Sequence, residues 1–197
     1  MEGTILNMEL STRTKLICAA EQLLRNRGYS DFSYADLAEQ VGIRKPSIHH
    51  HFPCKEDLGV EVVSNYLERF EGQLAQILLR KKTVGARLKA YSELFSGGVA
   101  DGSFPLCAAL AAQLSALPER MRHQTVLFFQ IHLDWLEKVI DASKEAKELE
   151  KAPESKQAAM MLLTALEGGA VVAWALSRPE VVRVSFDAIV GGWSKPS

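Results

Sequence analysis

Apolar residues recur three and four positions apart along nearly the whole chain, a spacing that places them on one face of an α-helix. The first periodic stretch follows Ser11, which can cap a helix, and ends at Gly28. No stretch shows the alternation that is typical of a half-buried strand. The pattern therefore predicts an all-α protein of about nine helices. The apolar face of the first helix comprises Leu16, Ile17, Ala20, Leu23 and Leu24.

The pattern also predicts two units of unequal size. Residues 1–54 contain three helices, preceded by a tail of residues 1–10 without periodicity. Residues 55–197 contain longer helices and form the larger, C-terminal unit. Glycines and prolines divide this unit, with breaks expected at Gly97-Gly98 and Asp101-Gly102. The predicted helices cover residues 55–82, 84–99, 104–117, 119–149, 155–176 and 180–192.

Residues 33–52 carry the signals of two short helices joined by a tight turn. Ser33 is a suitable N-cap, and Asp36 can replace the glutamate of a capping box, although more weakly. Gly42 tolerates the left-handed conformation that ends a helix, and Pro46 suits the first turn of the next one. This arrangement is typical of a helix-turn-helix, whose second helix enters the major groove of DNA.

The charge distribution favours a nucleic-acid partner for this segment alone. The whole chain has a formal net charge of −1, so there is no global attraction to DNA. Between Arg44 and Lys55, however, the chain has three cationic side chains and no carboxylate. A local basic patch of this kind suits DNA phosphates, which supply much of the free energy of binding.

These residues give the segment a resemblance to the DNA-binding domain of TetR-type transcriptional regulators. The resemblance spans residues 12–60 and implies a homodimer that binds a double-stranded DNA operator. At one position the chain departs from the family, because His49 stands where a phosphate-contacting tyrosine is common. We expect this contact to depend on pH. The matching positions are Ala19-Ala20, Gly28, Ser33, Leu37-Ala38, Val41-Gly42-Ile43, Ser47, Phe52, Lys55 and Leu58.

The helix-turn-helix pattern and the resemblance together predict the DNA contacts. Base contacts are expected from the start of the second helix, and a phosphate contact is expected from Lys55. A metal site at His49-His50-His51 is not expected, because consecutive helical side chains point about 100° apart. The predicted DNA-binding residues are Ser33, Tyr34, Arg44, Lys45, Pro46, Ser47, His49, His50 and Lys55.

Composition excludes several other classes of protein. Hydrophobic residues make up 47% and charged residues 24%, which is ordinary for a globular chain. We expect a cytoplasmic protein, because no apolar run reaches the roughly 18 residues of a membrane span and no secretory signal begins the chain. Three scattered cysteines indicate neither a disulfide framework nor a zinc site. Catalytic motifs are missing, so neither an enzyme nor a cofactor is predicted.

The last two predicted helices are candidates for a dimer interface. The stretch 165–176 is apolar on nearly every side, and the last helix adds Val181, Val184, Phe186, Ile189 and Val190. A helix that is apolar all round is buried on more than one side. Packing inside one chain is an alternative explanation. The resemblance implies a four-helix interface between two copies at this place, which is the interpretation we favour.

Aromatic residues on the inward faces of three C-terminal helices predict a pocket for a small-molecule inducer. Ligand sites are mostly apolar and contain a few orienting polar groups. A hydroxyl, an imidazole and a thiol would supply those groups here. The alternative is a solid core made of the same side chains. The predicted ligand-binding residues are Tyr91, Phe95, Cys107, Leu110, Phe128, His132 and Trp135.

Cys107 has a second possible role. Its position near the start of the sixth helix resembles a subset of TetR regulators, some of which sense electrophiles. A thiol at a helix N-terminus is expected to have a lowered pKa. The alternative is a buried cysteine that only packs. Cys54, also at a helix start, is the competing reactive thiol.

The sequence thus predicts a TetR-type repressor that a small apolar or aromatic ligand releases from a palindromic operator. Release would follow from tighter ligand binding to a conformation that does not fit the operator. A ligand-independent DNA-binding regulator is one alternative. The other is an all-α enzyme whose helix-turn-helix resemblance is accidental.

Overall fold

The structure, a computed structural model, describes residues 11–100, 103–146 and 148–194. Over these residues the chain forms nine α-helices and two short 3-10 helices, without a strand, which confirms the all-α prediction. The α-helices are α1 (Thr12–Asp31), α2 (Tyr34–Val41), α3 (Lys45–His51), α4 (Lys55–Arg80), α5 (Val84–Ala100), α6 (Leu106–Ala111), α7 (Glu119–Ala146), α8 (Ser155–Leu176) and α9 (Val184–Trp193). The predicted tail and the predicted Asp101-Gly102 break lie outside the described residues.

The first three helices enclose a small core. Ser11 caps α1 by accepting a hydrogen bond from the backbone N–H of Thr14 at 3.1 Å. Gly28 interrupts the regular helix with a φ of 76°, a left-handed conformation that glycine adopts without steric cost. The chain therefore turns here and brings α2 and α3 back against α1. The buried side chains of this core include Leu16, Leu24, Phe32, Leu37, Ile48 and Phe52.

The long helix α4 joins this small core to the rest of the molecule. Its buried stripe, from Leu58 to Ile77, packs against α1, α5 and α7. Helix α1 also packs on α6, so the first helix belongs to both cores. The predicted domain boundary between residues 54 and 55 falls at the N-terminus of α4.

The sixth predicted helix, over residues 104–117, is wrong in its extent. The chain instead forms the six-residue helix α6, followed by a 3-10 turn over Leu114–Ala116. Between them Gln113 leaves the helical conformation, and its side-chain carbonyl accepts a hydrogen bond from the N–H of Ser30 at 3.3 Å. This contact with the last turn of α1 depends on the tertiary fold, and local periodicity does not encode it.

Two further expectations need correction. Gly97 and Gly98 do not break the chain, because α5 continues through both to Ala100. Before α9, the residues Pro179–Val181 form a separate 3-10 turn, so the last helix is shorter than predicted. The segment after α7 also makes a tertiary contact. The Glu148 carboxylate accepts hydrogen bonds from the N–H groups of Val84 and Gly85 and thereby caps α5.

Helix α8 is the most apolar of the long helices. By length and composition alone it could cross a membrane, since an 18-residue window has a mean hydropathy of 1.7, but the core helix of a globular protein meets the same criterion. One side of α8 packs against α5, α7, α9 and the 3-10 turn at residues 179–181. Gly169 makes the closest approach, since a Cβ there would lie 2.2 Å from the carbonyl oxygen of Val182.

Candidate nucleic-acid interface and ligand cavity

Local hydrogen bonds hold α2 in the orientation that a helix-turn-helix requires. The Ser33 hydroxyl accepts from the N–H groups of Ala35 and Asp36, and Asp36 accepts from the Ser33 N–H at 2.7 Å. This is the predicted capping box. The bonds from Ser33, followed by the nearby Arg27 guanidinium, lower the pKa of Asp36. Gly42 then ends α2 in the left-handed conformation, with a φ of 75°.

Helix α3 presents a polar and cationic face to solvent. Pro46 lies in its first turn, and Ile48 is fully buried against the core, as predicted. A buried Ile48 fixes the rotation of the helix, so the neighbouring side chains point outward. Among the predicted DNA-binding residues, the exposed ones are Ser33, Arg44, Lys45, Pro46, Ser47, His49 and His50.

Tyr34 and His49 fix the C-terminal end of α3. The Tyr34 hydroxyl donates to the backbone carbonyl of Phe52 at 2.9 Å, and its ring meets the His49 ring edge-on at 4.9 Å. The Nδ1 atom of His49 lies 3.2 Å from the carbonyl oxygen of Pro53. Burial raises the pKa of Tyr34 to about 12, so the hydroxyl keeps its proton and remains a donor. Both side chains thus have structural partners at the edge of the exposed face.

Lys55 is also engaged within the protein. Its ammonium group lies 4.4 Å from the ring centre of Tyr29 and 4.5 Å from that of Phe32, and it donates to the Tyr29 carbonyl. Burial lowers its pKa. These contacts tie the start of α4 to the C-terminal end of α1. A phosphate contact by Lys55 would therefore add to an existing structural role.

The predicted ligand-binding residues converge, but most of them form a packed aromatic cluster. His132 lies at its centre, with Nδ1 2.6 Å from the Tyr91 hydroxyl and its ring stacked on Phe70 at 4.1 Å. Trp135 stacks on Tyr91 at 5.1 Å. Burial lowers the pKa of His132 to about 3, so the imidazole is neutral. Around His132 the alternative of a solid core therefore holds.

A cavity of about 180 Å³ lies beside this cluster, between α1, α4, α5 and α7. Of the seven predicted residues, Phe95 and Phe128 line the cavity, whereas the other five are not among its described lining residues. Sequence reasoning missed Arg25 and Arg69, which contribute two guanidinium groups to the wall. The remaining described lining residues are Tyr66, Phe70, Gln73, Leu94 and Pro105.

Cys107 does not have the environment expected of a reactive thiol. The side chain is buried, and that burial raises its pKa well above the usual value, with Glu167 adding to the effect. The predicted lowering of the pKa at the helix N-terminus is therefore wrong, because desolvation outweighs the dipole of a six-residue helix. Cys54 is exposed, and its thiol donates to Asp57 at 3.0 Å.

A partly buried glutamate on α8, Glu167, whose Oε2 atom is shielded from solvent, was also missed by sequence reasoning. Burial raises the pKa of Glu167 to about 7. Its charge acts on Tyr91 and Cys107, which places it on the core side of α8. Within the described part of the chain, its Oε2 atom has no hydrogen-bond partner, and neither does Nε2 of His132 or Nε1 of Trp135. A glutamate in an apolar stretch is the only signal that the sequence offered.

The opposite side of α8 is apolar and exposed. A face of this composition on a globular protein marks a contact surface. We call these residues the α8 face, and it continues onto the start of α9. Its large side chains are Met160, Met161, Val171, Val172, Trp174, Leu176 and Val184.

The fold and the exposed helix α3 define a class, the helix-turn-helix proteins with a second helical domain. Comparisons with known proteins narrow this class. The family described as "Bacterial regulatory proteins, tetR family" matches residues 16–62. A crystal structure of a TetR-family transcriptional regulator from Agrobacterium tumefaciens superposes with a TM-score of 0.89 at 28% identity, over 93% of this chain and 97% of that one.

Curated relatives agree over the N-terminal part. The regulator CymR of Pseudomonas putida is 36% identical over 80 residues, which are 41% of this chain and 36% of that protein. The repressor KstR2 of Mycolicibacterium smegmatis is 34% identical over 68 residues, which are 34% of this chain and 33% of that protein. The chain thus spans about a third of the length of these curated relatives. Taken together, the matches show that residues 16–62 are similar to the tetR family of bacterial regulatory proteins, and that the described chain is similar in fold to a TetR-family regulator.

Proposed function

We propose that the protein is a DNA-binding transcriptional regulator, and that it acts as a repressor of the TetR type. The observation that carries this proposal is the exposed face of α3. Ile48 anchors the helix in the core, while Lys45, Ser47 and His50 project into solvent from a helix without a carboxylate. A helix with this combination can enter a major groove and contact both base edges and phosphates.

Operator binding by this protein would require two copies. One α3 helix covers only a few base pairs, and dimers of helix-turn-helix proteins place two such helices about 34 Å apart. The α8 face supplies the apolar area for pairing, because a second copy would remove it from water. A symmetric pair of α8 and α9 helices would form a four-helix interface. This arrangement accounts for an apolar helix that the protomer leaves partly uncovered.

Release by a small apolar or aromatic ligand is the third part of the proposal. The cavity beside His132 contacts α1 and α4, which also position the helix-turn-helix. A ligand that binds one arrangement of these helices more tightly shifts the population toward it. A ligand-independent regulator would not need this cavity, and an enzyme would not need the α3 face. Both alternatives therefore explain fewer of the observations.

Selection of bound sequences from a random duplex pool tests the proposed function. The expected result is enrichment of a palindrome whose half-site centres are about 10 base pairs apart, or a multiple of one helical turn. A protein with Lys45→Ala and Ser47→Ala should enrich a different or weaker consensus, because both side chains lie on the exposed face. Failure of the unmodified protein to enrich any sequence would contradict the proposal.

A further inference from the structure

We propose that the cavity between α1, α4, α5 and α7 binds a single-ring aromatic carboxylate, with the ring among the aromatic walls and the carboxylate on Arg25 and Arg69. This inference rests on the proposed function, since it names the chemical class of the releasing ligand. Two features of the cavity lead to it, its size and its guanidinium groups.

The size of the cavity suits one aromatic ring. Its volume of about 180 Å³ is close to the roughly 150 Å³ of an engineered apolar cavity that accepts benzene. Rings from three helices form its walls: Tyr66 and Phe70 from α4, Phe95 from α5 and Phe128 from α7. Such rings favour an aromatic guest, because aromatic pairs gain from stacked and edge-on contacts.

The polar end of the cavity carries more positive than negative charge. Arg25 and Arg69 share a single carboxylate, that of Glu21, at 2.7 Å for each closest nitrogen–oxygen pair. Arg25 contacts Oε1 of Glu21, and Arg69 contacts Oε2. Two guanidinium groups on one carboxylate leave a net positive charge at the cavity wall. A second carboxylate, supplied by a ligand, would neutralise this charge. Its two oxygens could accept two parallel hydrogen bonds from one guanidinium group.

A wide groove leads to this cavity from the surface and has the same sign of charge. The groove, of about 780 Å³, lies between α4 and α5 and shares Arg69, Gln73 and Leu94 with the cavity. Arg80 and Lys81 also line the groove, whereas Glu93 is the one carboxylate among its described lining residues. The carboxylate of Glu93 lies 3.7 Å from the guanidinium group of Arg183. A cleft with an excess of cations raises the local concentration of anions and favours their entry.

The same arginines connect the cavity to the helix-turn-helix. Glu21 and Arg25 are on α1, in the part of the helix that also contacts α2 through the hydrogen bond from Gln40 to Gln22, whereas Arg69 is on α4. Arg25 also donates to the Phe104 carbonyl at 2.9 Å, before α6. An incoming carboxylate competes with Glu21 for the two guanidinium groups. It therefore weakens one of the ion pairs between α1 and α4, which are also joined by the pair Arg13–Glu61.

Calorimetric titration of the full chain with benzoate and phenylacetate, each paired with its neutral amide, tests the inference. Each acid should bind at least about tenfold more tightly than its amide. The reason is that a hydrogen bond to a charged group contributes more free energy than a hydrogen bond between neutral groups. Arg69→Gln should remove this preference and leave the amides unchanged. Arg69 is half-exposed, so this variant should fold. Arg122→Gln, an exposed arginine on α7, is the matched control and should change nothing.

Glu21→Gln gives a prediction of opposite sign. Without the internal carboxylate, both guanidinium groups are left for the ligand, so the acids should bind more tightly than to the unmodified protein. If Arg25, Glu21 and Arg69 had only a structural role, Glu21→Gln would not raise the affinity for the acids. The inference is overturned if neither acid binds, if acids and amides bind equally, or if Glu21→Gln weakens acid binding. Titration without DNA keeps these outcomes separate from a failure of operator binding, which would contradict the proposed function instead.

Discussion

The helix-turn-helix and the ligand cavity are built in different ways. In the helix-turn-helix, neighbours in sequence fix the geometry: Ser33 caps α2, Gly42 ends it and Pro46 starts α3. In the C-terminal bundle, side chains from distant positions meet, as Tyr91 and His132 do at 2.6 Å. The comparison shows that a surface made by local signals can be predicted from sequence, whereas a cavity made by four helices cannot.

The two regions also differ in the environment of their polar side chains. On α3 the polar side chains are exposed, where water satisfies them at little cost. In the bundle, Glu167, His132 and Trp135 each bury a polar atom that lacks a partner in the described structure. A buried polar atom without a partner costs free energy. Substitutions at these three bundle positions should therefore affect stability, whereas those at the exposed positions of α3 should affect DNA binding alone.

The largest effect is expected from Val172→Glu on the α8 face. A carboxylate there would be buried without a partner when two copies pair, so pairing should fail. Operator affinity should fall about a hundredfold or more, because both half-sites would no longer be bound together. Leu79→Glu is the control, an exposed apolar residue at the end of α4. Sedimentation of both variants gives the measurement, and a Val172→Glu protein that stays dimeric contradicts the proposed interface.

The buried carboxyl group of Glu167 should make stability depend on pH. Its pKa is raised from 4.5 to about 7, so the folded state binds the proton more tightly than the unfolded state. The free energy of unfolding should therefore fall by about 3 kcal/mol as the pH rises from below 4.5 to above 7. Glu167→Gln carries no charge and should lack this decrease.

Urea titrations at pH 5 and pH 8, at one protomer concentration, measure this difference. Glu68→Gln, an exposed carboxyl group on α4, is the control and should follow the unmodified protein. If Glu167→Gln and the unmodified protein lose the same stability between the two pH values, Glu167 is solvated and the buried position is wrong.

Gly169→Ala should destabilise the protomer by about 1–3 kcal/mol, because the added methyl group would meet the Val182 carbonyl, which belongs to the backbone. Gly169 thus faces its own chain. Gly72→Ala is the matched control on α4, where a Cβ meets open space. It should instead stabilise by up to about 1 kcal/mol through helix propensity. Thermal unfolding separates the two, and equal effects would contradict the close approach.

The smallest of these effects is expected at Lys55. Lys55→Ala should reduce the slope of log affinity against log salt by about one, if the ammonium contacts a phosphate. It should also lower stability by about 1–2 kcal/mol, because the bond to the Tyr29 carbonyl is lost. Lys45→Ala should leave stability unchanged, since Lys45 is exposed. A stability loss with an unchanged salt slope would assign Lys55 a structural role only.

These differences explain what the sequence could predict. The capping box at Ser33, the turn at Gly42 and the inward Ile48 follow from local chemistry and are confirmed. The Glu148 cap on α5 and the two cavity arginines depend on contacts between residues far apart in sequence. Periodicity marks Arg25 and Arg69 only as polar positions, since it contains no information about which helix lies opposite. The predicted pocket was therefore placed in the neighbouring aromatic cluster.

The most direct test of the central claim is the affinity of the protein for a selected duplex compared with a scrambled duplex of the same composition, at physiological salt. If α3 recognises base edges, the selected duplex should bind about a thousandfold or more tightly. Lys45→Ala with Ser47→Ala should reduce that ratio while the fold, followed by circular dichroism, stays intact. Equal affinity for the two duplexes, or a ratio that the α3 substitutions leave unchanged, would contradict the assignment of α3 as the recognition helix.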